Sequence, residues 1–289
     1  MKRIVAIGDI HGSIGALLEI AQRLALINGG LEFQAENTEV VFIGDLCDRG
    51  ENTKDLYELV IGWQKEAPAI GSRVWFLLGN HEVMNAYGLT HYNTAEEHLS
   101  FDPSSQREGS KAHAAAFATG GWISDWLVGQ QAMLKLGGLV FAHGDLPSVL
   151  ADWTVEEIND RVMESFRGRN PQADTELPAT LFAPEASILW CREARDARSR
   201  SYAASLIRFL EANGASAYVC GHTPSEQGLF RLQYGGRYLC IDTAMTFQRH
   251  GIGRRSALVV DGEEAWAVYF VDSEPRYVAI DLSLSHDLP

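Results

Sequence analysis

Residues Arg3–Gly12 read RIVAIGDIHG. A short apolar run, Arg3–Ile7, passes directly into a glycine, an aspartate and a histidine. Such a run has the character of a strand covered on both faces. Working outward, the same syntax recurs. Ile14–Leu26 carries Leu17, Leu18, Ile20, Leu24 and Leu26 at helical spacing, and Val40–Ile43 is the next strand run, ending in Gly44-Asp45. Thr53–Lys65 is predicted helical, with Leu56, Leu59, Val60 and Trp63 on its apolar stripe. Val74–Leu78 is a third strand run, ending in Gly79-Asn80. Strand, helix, strand in this order is the βαβ unit of an α/β fold. Ligands in such sheets sit beyond the carboxyl ends of the strands, where this chain places its Gly-polar pairs.

Beyond Asn85 the order loosens. Asn85–Gly121 reads as a loop-rich insertion, Trp122–Val128 as a short helix, and Met133–Ala142 as strand ending in His143-Gly144. Asp152–Arg200 is a second, polar, helix-prone insertion, and Ser205–Glu211 continues as helix. Ala217–Cys220 is a strand ending in Gly221-His222, and Gly228–Leu282 alternates short strands with glycine turns, which suggests an antiparallel second sheet. With no internal repeat, low-complexity segment or linker, one domain over residues 1–289 is expected, carrying insertions near 85–121 and 152–200.

Composition removes several function classes. Of 289 residues, 24 are Lys or Arg and 38 are Asp or Glu, a net charge of −14. That balance disfavours nonspecific binding to nucleic acid or an anionic membrane, so neither partner is expected. It leaves room for a local cationic site that takes a phosphorylated substrate. Cys47, Cys191, Cys220 and Cys240 form no CxxC pair and no secreted disulfide framework. The first apolar run is too short for a signal peptide, and no stretch of about 18 apolar residues is present. A cytoplasmic location is the expectation.

Five strand ends therefore carry Asp9 and His11, Asp45, Asn80 and His81, His143, and His222. Each strand end carries a glycine beside one of these residues, which lets backbone approach a ligand without a Cβ. Asp, Asn and His suit Mn, Fe or Zn. If the strands are neighbours, the side chains converge on one point, and two metals there could clamp a phosphoryl group.

The motifs GDIHG (Gly8–Gly12), GDLCDRG (Gly44–Gly50), GNHE (Gly79–Glu82), HGD (His143–Asp145) and GHT (Gly221–Thr223) together resemble the calcineurin-like metallophosphoesterases, and within them the phosphoprotein phosphatases. The segments LLGNHEVMN (Leu77–Asn85), GGWISDWL (Gly120–Leu127) and ILWCRE (Ile188–Glu193) are similar to the bacterial and Shewanella-like protein phosphatases. The resemblance spans about Ile4 to Thr243. It implies a four-layer αββα sandwich of two mixed β-sheets flanked by helices. It implies hydrolysis of phosphomonoesters on phosphoserine, phosphothreonine or phosphotyrosine of a protein or peptide by a metal-bridging hydroxide. Two divalent ions are implied, manganese first, with iron or zinc as alternatives. Asp9, His11 and Asp45 would hold one; Asp45, Asn80, His143 and His222 would hold the other. Arg49 and Arg192 would grip the phosphate, and His81 would protonate the leaving oxygen with Asp48 holding its ring. The two insertions would wall the cleft.

Such roles agree with elementary chemistry. A phosphate ester resists attack because its oxygens are anionic, and cations beside it offset that charge as the transition state forms. The leaving oxygen needs a proton, which a histidine can supply near neutral pH. One departure stands out: the family's usual HGG appears here as His143-Gly144-Asp145. Asp145 could contact a metal-bound water or could simply tolerate the turn. Several neighbours take bland readings. His91, His98 and His113 read as solvated loop histidines, Cys47 as a packing residue and Trp190 as core. Tyr87 and Tyr92 could line a cleft or pack the insertion. Arg107 could reach the phosphate from above. Arg195, Arg198 and Arg200 are alternatives to Arg192, or the cluster could be a solvated helix face. Two competing functions remain: a dinucleoside polyphosphate hydrolase of the diadenosine tetraphosphate type, and a catalytically silent scaffold, which predicts missing ligands where none is missing.

Overall fold

The computed structural model describes residues 2–171, 176–196, 198–246, 253–271 and 274–282. Parts of the two C-terminal expectations, at residues 172–175, 197, 247–252 and 272–273, lie outside them. The chain opens as sequence reading predicts: β1 (Arg3–Ile7), α1 (Ile14–Arg23), β2 (Thr38–Phe42), α2 (Thr53–Glu66) and β3 (Arg73–Phe76). Helix α1 stops short of Leu26 because Ala25 turns to φ 55°, although Leu24 and Leu26 are both buried. There follow α3 (Asn80–Ala86), α4 (Ala95–Phe101), α5 (Gln106–Phe117) and α6 (Trp122–Leu127). Then come β4 (Met133–Leu136), β5 (Leu139–Ala142), α7 (Val155–Arg167), α8 (Ala179–Phe182), α9 (Arg200–Ala212) and β6 (Ala217–Cys220). The chain closes with β7 (Arg231–Gln233), β8 (Tyr238–Cys240), β9 (Ser256–Asp261), β10 (Glu264–Tyr269) and β11 (Arg276–Ala279).

Two mixed sheets result, ordered β11-β10-β9-β1-β2-β3 and β4-β5-β6-β8-β7. Strand alternation explains how they stack. Ile4, Ala6, Val41, Leu139, Phe141, Ala217, Val219, Leu239, Leu258 and Val260 form one buried cluster drawn from both sheets. Their strand neighbours Val5, Ile7, Val40, Phe42, Val140, Tyr218, Tyr238 and Val259 belong to a second cluster that includes the helices' apolar faces. Side chains on a strand point alternately to its two faces, so sheet lies on sheet and helices cover the outside. Each fully buried large apolar side chain contributes about 1.5–3 kcal/mol.

Two expectations need correction. The insertion after Asn85 is largely helical rather than loop-rich. Thr94 caps α4 by accepting from the Glu97 N–H at 3.0 Å, and Ser105 caps α5 by accepting from the Glu108 N–H at 3.2 Å. The signal was present as the T-x-x-E and S-x-x-E patterns that start helices. Nor does Gly228–Leu282 form a separate antiparallel sheet. Strand β8 is buried along its length and pairs parallel with β6, while β9 pairs antiparallel with β1 and leads into β10 and β11. A wholly apolar YLC triplet needs cover on both faces, which an interior strand position provides and a half-solvated sheet does not.

Candidate active site

Strands β1, β2 and β3 run parallel, as do β5, β6 and β8 in the other sheet. Their carboxyl ends deliver one cluster. Asp9 and His11 follow β1, Asp45 follows β2, Asn80 and His81 open α3 after β3, His143 follows β5, His222 follows β6, and Asp242 follows β8. None of the eight is more than 4% exposed, so their polar atoms must find partners within the protein or a ligand.

The backbone here is bent hard. His11, Asp45, Asp48, Arg49 and His222 all sit at positive φ, between 46° and 68°. Left-handed geometry at a non-glycine residue costs of order 1–3 kcal/mol and persists where the surroundings enforce it. The neighbouring glycines show why no Cβ is tolerated. One on Gly221 would stand 2.1 Å from Asp9 Oδ1, and one on Gly79 would stand 2.2 Å from Asp45 Oδ1.

Asp45 is the hub. Its Oδ2 faces His143 Nε2 at 3.4 Å, His11 Nε2 at 3.5 Å and His81 Nε2 at 3.8 Å. Its Oδ1 accepts the His81 N–H at 3.1 Å. His143 Nε2 also lies 2.8 Å from Asn80 Oδ1, and its Nδ1 is 2.8 Å from the Ile43 carbonyl. His11 Nδ1 is likewise tied to the Cys47 carbonyl at 2.9 Å. A ring nitrogen held by a carbonyl fixes the tautomer and turns the other nitrogen to the centre, as ligating histidines require. Among the described residues two groups of donors lie close enough to hold an ion: His11, Asp45 and His81, and Asp45, His143 and His222. Asp9 falls in neither; both its oxygens accept the His222 N–H, at 3.0 and 3.2 Å.

Electrostatics favour a cation. Burial, then the Asp242 carboxylate, push Asp9 well above the usual carboxylate range. Burial also works to raise Asp45, but His143, His81 and His11 outweigh it and hold that carboxyl well below. Burial lowers His11 to about 3, and burial, His143 and Arg192 hold His222 well below the usual imidazole range. Both rings are therefore neutral, as ligands must be. At His143, Asp45 overcomes burial and raises it to about 9, so a coordinating ion would displace that proton. Among the described residues, His222 Nε2 is buried with no hydrogen-bond partner. Crowded carboxylates, neutral imidazoles and an orphaned ring nitrogen at one buried point fit divalent metal ions.

The proton-donor and phosphate-binding candidates surround this cluster. His81 Nδ1 pairs with Asp48 Oδ2, and Asp48 Oδ1 accepts from Asn85 Nδ2 at 3.1 Å and Asn93 Nδ2 at 2.5 Å. Arg49 extends one guanidinium arm to His11 Nε2 and the other to His81 Nε2, each at 3.0 Å. Arg192 stands on the His222 side, donating to Thr223 Oγ1 at 3.4 Å. Arg195, Arg198 and Arg200 are exposed, as is Arg107. Tyr92 is exposed beside His81 and Arg49, with its ring 5.0 Å from the imidazole, whereas Tyr87 is buried against Phe182. Cys47 packs as expected, and burial pushes its thiol well up.

Sequence reading missed a supporting layer. The Glu82 carboxylate accepts the N–H groups of Asp45, Leu46 and Gly79, each at 2.9 Å, and the Tyr57 hydroxyl at 2.9 Å. It thereby fixes the β2 and β3 loops to each other. Asp242 follows the apolar run YLCI directly, without the glycine that separates Asp45 from VVFI, so only half of the signal marks it. His113 is buried among Phe101, Phe117 and His98, not solvated. Glu97 accepts the Asp48 N–H at 2.9 Å and the Thr53 hydroxyl at 2.6 Å. Burial and the Asp48 carboxylate raise Glu97 from 4.5 to about 7. Folding therefore takes up a proton between those values. The stability this group contributes is complete below pH 4.5 and lost as pH rises through about 7. Chemical denaturation at pH 5 and pH 8 should show Glu97→Gln gaining on the wild type at the higher pH, by on the order of 2 kcal/mol. An equal difference at both pH values would disprove it.

Residues 2–226 match the calcineurin-like phosphoesterase family model. Shewanella-like protein phosphatase 1 of Plasmodium berghei is 26% identical over 278 residues, covering 93% of this chain and 74% of the relative. Shewanella-like protein phosphatase 2 of Arabidopsis thaliana is 27% identical over 276 residues, covering 79% and 68%. The solved structure of a cold-active protein tyrosine phosphatase superposes with a TM-score of 0.80 over 96% of this chain and 78% of its own, at 19% identity. At that identity the likeness concerns the fold.

Proposed function

The chain belongs to the calcineurin-like phosphoesterase family, and from that premise we propose that it is a protein phosphatase, hydrolysing phosphomonoesters on serine, threonine or tyrosine. The observation that carries this reading is the placement of Arg49, Arg192 and the His81–Asp48 pair around one buried donor cluster. The phosphatase names of the relatives support it.

The proposed ligands are Asp9, His11 and Asp45 for one ion, and Asp45, Asn80, His143 and His222 for the other. Divalent ions, manganese in our reading, would supply Lewis-acid charge at the phosphoryl group and acidify water. The protein's own groups do the rest. Were the His11 lone pair held by a cation, the Arg49 fork would be free to turn outward and bind two phosphoryl oxygens. Arg192 takes an oxygen from the opposite side. His81, its Nδ1 held by Asp48, presents Nε2 to the leaving oxygen and gives it a proton. Asn85 and Asn93 keep Asp48 from turning away. Among the described residues no helix is long and apolar enough to cross a membrane, and all four cysteines are free and buried. Free thiols support a reducing, cytoplasmic location, and the net charge of −14 opposes a nucleic-acid partner.

Chelator-stripped protein should release phosphate from phosphotyrosine or phosphothreonine peptides only when manganese is restored. Cleavage of diadenosine tetraphosphate alone, with both peptides untouched by metal-loaded protein, would overturn the reading.

A further inference from the structure

The carboxylate that replaces the second glycine of the HGG turn is buried in a set of hydrogen bonds. Asp145 is 1% exposed. Its Oδ2 accepts the Ala194 N–H at 2.7 Å, and its Oδ1 accepts the Tyr238 hydroxyl at 2.5 Å and lies 3.6 Å from Cys220 Sγ. Its own N–H donates to the Cys191 carbonyl at 3.1 Å, and the Gly144 N–H donates to the Ile188 carbonyl at 2.6 Å. The turn after β5 is thus bonded to residues 188, 191 and 194, on both sides of Arg192. A second carboxylate holds the same segment from outside: Glu193 accepts Ser148 N–H at 3.1 Å and Ser148 Oγ at 2.5 Å.

From these contacts, and resting on the phosphatase reading above, we propose that Asp145 is a positioning residue for phosphate binding, which holds the Ile188–Arg195 segment so that Arg192 points at the phosphate. A glycine at 145 could offer the backbone bonds but not the Ala194 and Tyr238 bonds. Arg192 is half-buried and, among the described residues, its side chain makes one long hydrogen bond, to Thr223, so its direction depends on the backbone that carries it. That backbone has little regular structure of its own: a turn at 188–190 and a short one, Glu193–Arg195, whose Ala194 N–H is spent on Asp145. Buried carboxylate acceptors make strong bonds to N–H and O–H donors, and this one has a donor on each oxygen.

Asp145→Leu removes both acceptors. Asp145→Asn keeps the shape, with its amide oxygen accepting from Ala194 and its NH2 donating to Tyr238. Tyr238→Phe is the milder probe, which deletes one bond and serves if the leucine variant does not fold. Two readouts on metal-loaded protein decide the matter: calorimetric binding of inorganic phosphate, and kcat and KM on a phosphopeptide. Asp145→Leu should bind phosphate about 10-fold more weakly and raise KM in step, as Arg192→Ala does. Asp145→Asn should stay within about threefold of the wild type, and Tyr238→Phe should shift the same quantities less than the leucine variant. In an Arg192→Ala background, adding Asp145→Leu, or Tyr238→Phe in its place, should cost almost nothing more, because the positioned group is gone. Full additivity of the two losses, or wild-type phosphate binding in folded Asp145→Leu or Tyr238→Phe, would overturn the proposal. Phosphate binding needs no turnover. A wild type that binds phosphate but hydrolyses no peptide would therefore defeat the phosphatase reading, while the binding comparison would still decide the role of Asp145.

Discussion

Metal-loaded His81→Ala should release phosphate from a phosphoserine peptide about 10²–10⁴-fold more slowly than the wild type, the range for loss of a general acid. The reason lies in the leaving group. A serine alkoxide departs badly without a proton, whereas p-nitrophenolate departs well without one. The loss should therefore be much smaller on p-nitrophenyl phosphate than on the peptide. That contrast separates proton donation from mere support, because a distorted site would slow both substrates alike. Metal content should remain at the wild-type level, since the Asp48-tethered ring is proposed as donor and not as ligand. Equal losses on the two substrates, or near-wild-type turnover on the peptide, would remove His81 from that role.

Asp45→Asn should fail for a different reason. Three imidazoles converge on its Oδ2 within 3.8 Å, and its place in both candidate donor groups makes it the carboxylate the two ions would share. The amide keeps the volume but loses the charge and turns one acceptor into a donor. Folding should survive, because asparagine tolerates the left-handed φ of 55° at this position better than most residues. Metal content measured after dialysis should fall below the wild type. Turnover should drop about 10³-fold or more, as several kcal/mol of charge stabilisation goes with the metal. A variant that keeps its full metal content and most of its activity would refute the shared-ligand assignment.

How far sequence carried the fold and the site depended on where each partner lies along the chain. The strands β1, β2, β3, β5 and β6 were legible because each apolar run ends at a glycine beside Asp, Asn or His. Local chemistry was enough there. Asp242 also ends an apolar run but has no glycine beside it, and the glycine turns around it suggested an antiparallel sheet and drew attention from the strand end. Asn93 and Glu97 could not be read at all. Their partner, Asp48, is 45 and 49 residues away, and nothing near either residue announces a contact across that distance. His113 sat between these cases. It stands four residues before Phe117 on α5, so helical spacing places both on one face, but the polar residues around it disguised that face. The ILWCRE resemblance favoured Arg192 over its arginine neighbours, and its half-buried position sets it apart from the exposed Arg195, Arg198 and Arg200.

The division of the cluster between two sheets has a consequence for biosynthesis. On the proposed ligand set, Asp9, His11, Asp45 and Asn80 belong to strands made early, whereas His143 and His222 belong to the opposite sheet and emerge last. The ion proposed for Asp9, His11 and Asp45 has its donors early, whereas the other lacks His222 until β6 is made. The sheet that holds β1 is itself completed only by β9, β10 and β11, which follow β6. The second ion's position can therefore close only after residue 222 has left the ribosome and the two sheets have docked. A chain arrested before β6 should retain less metal than the full chain.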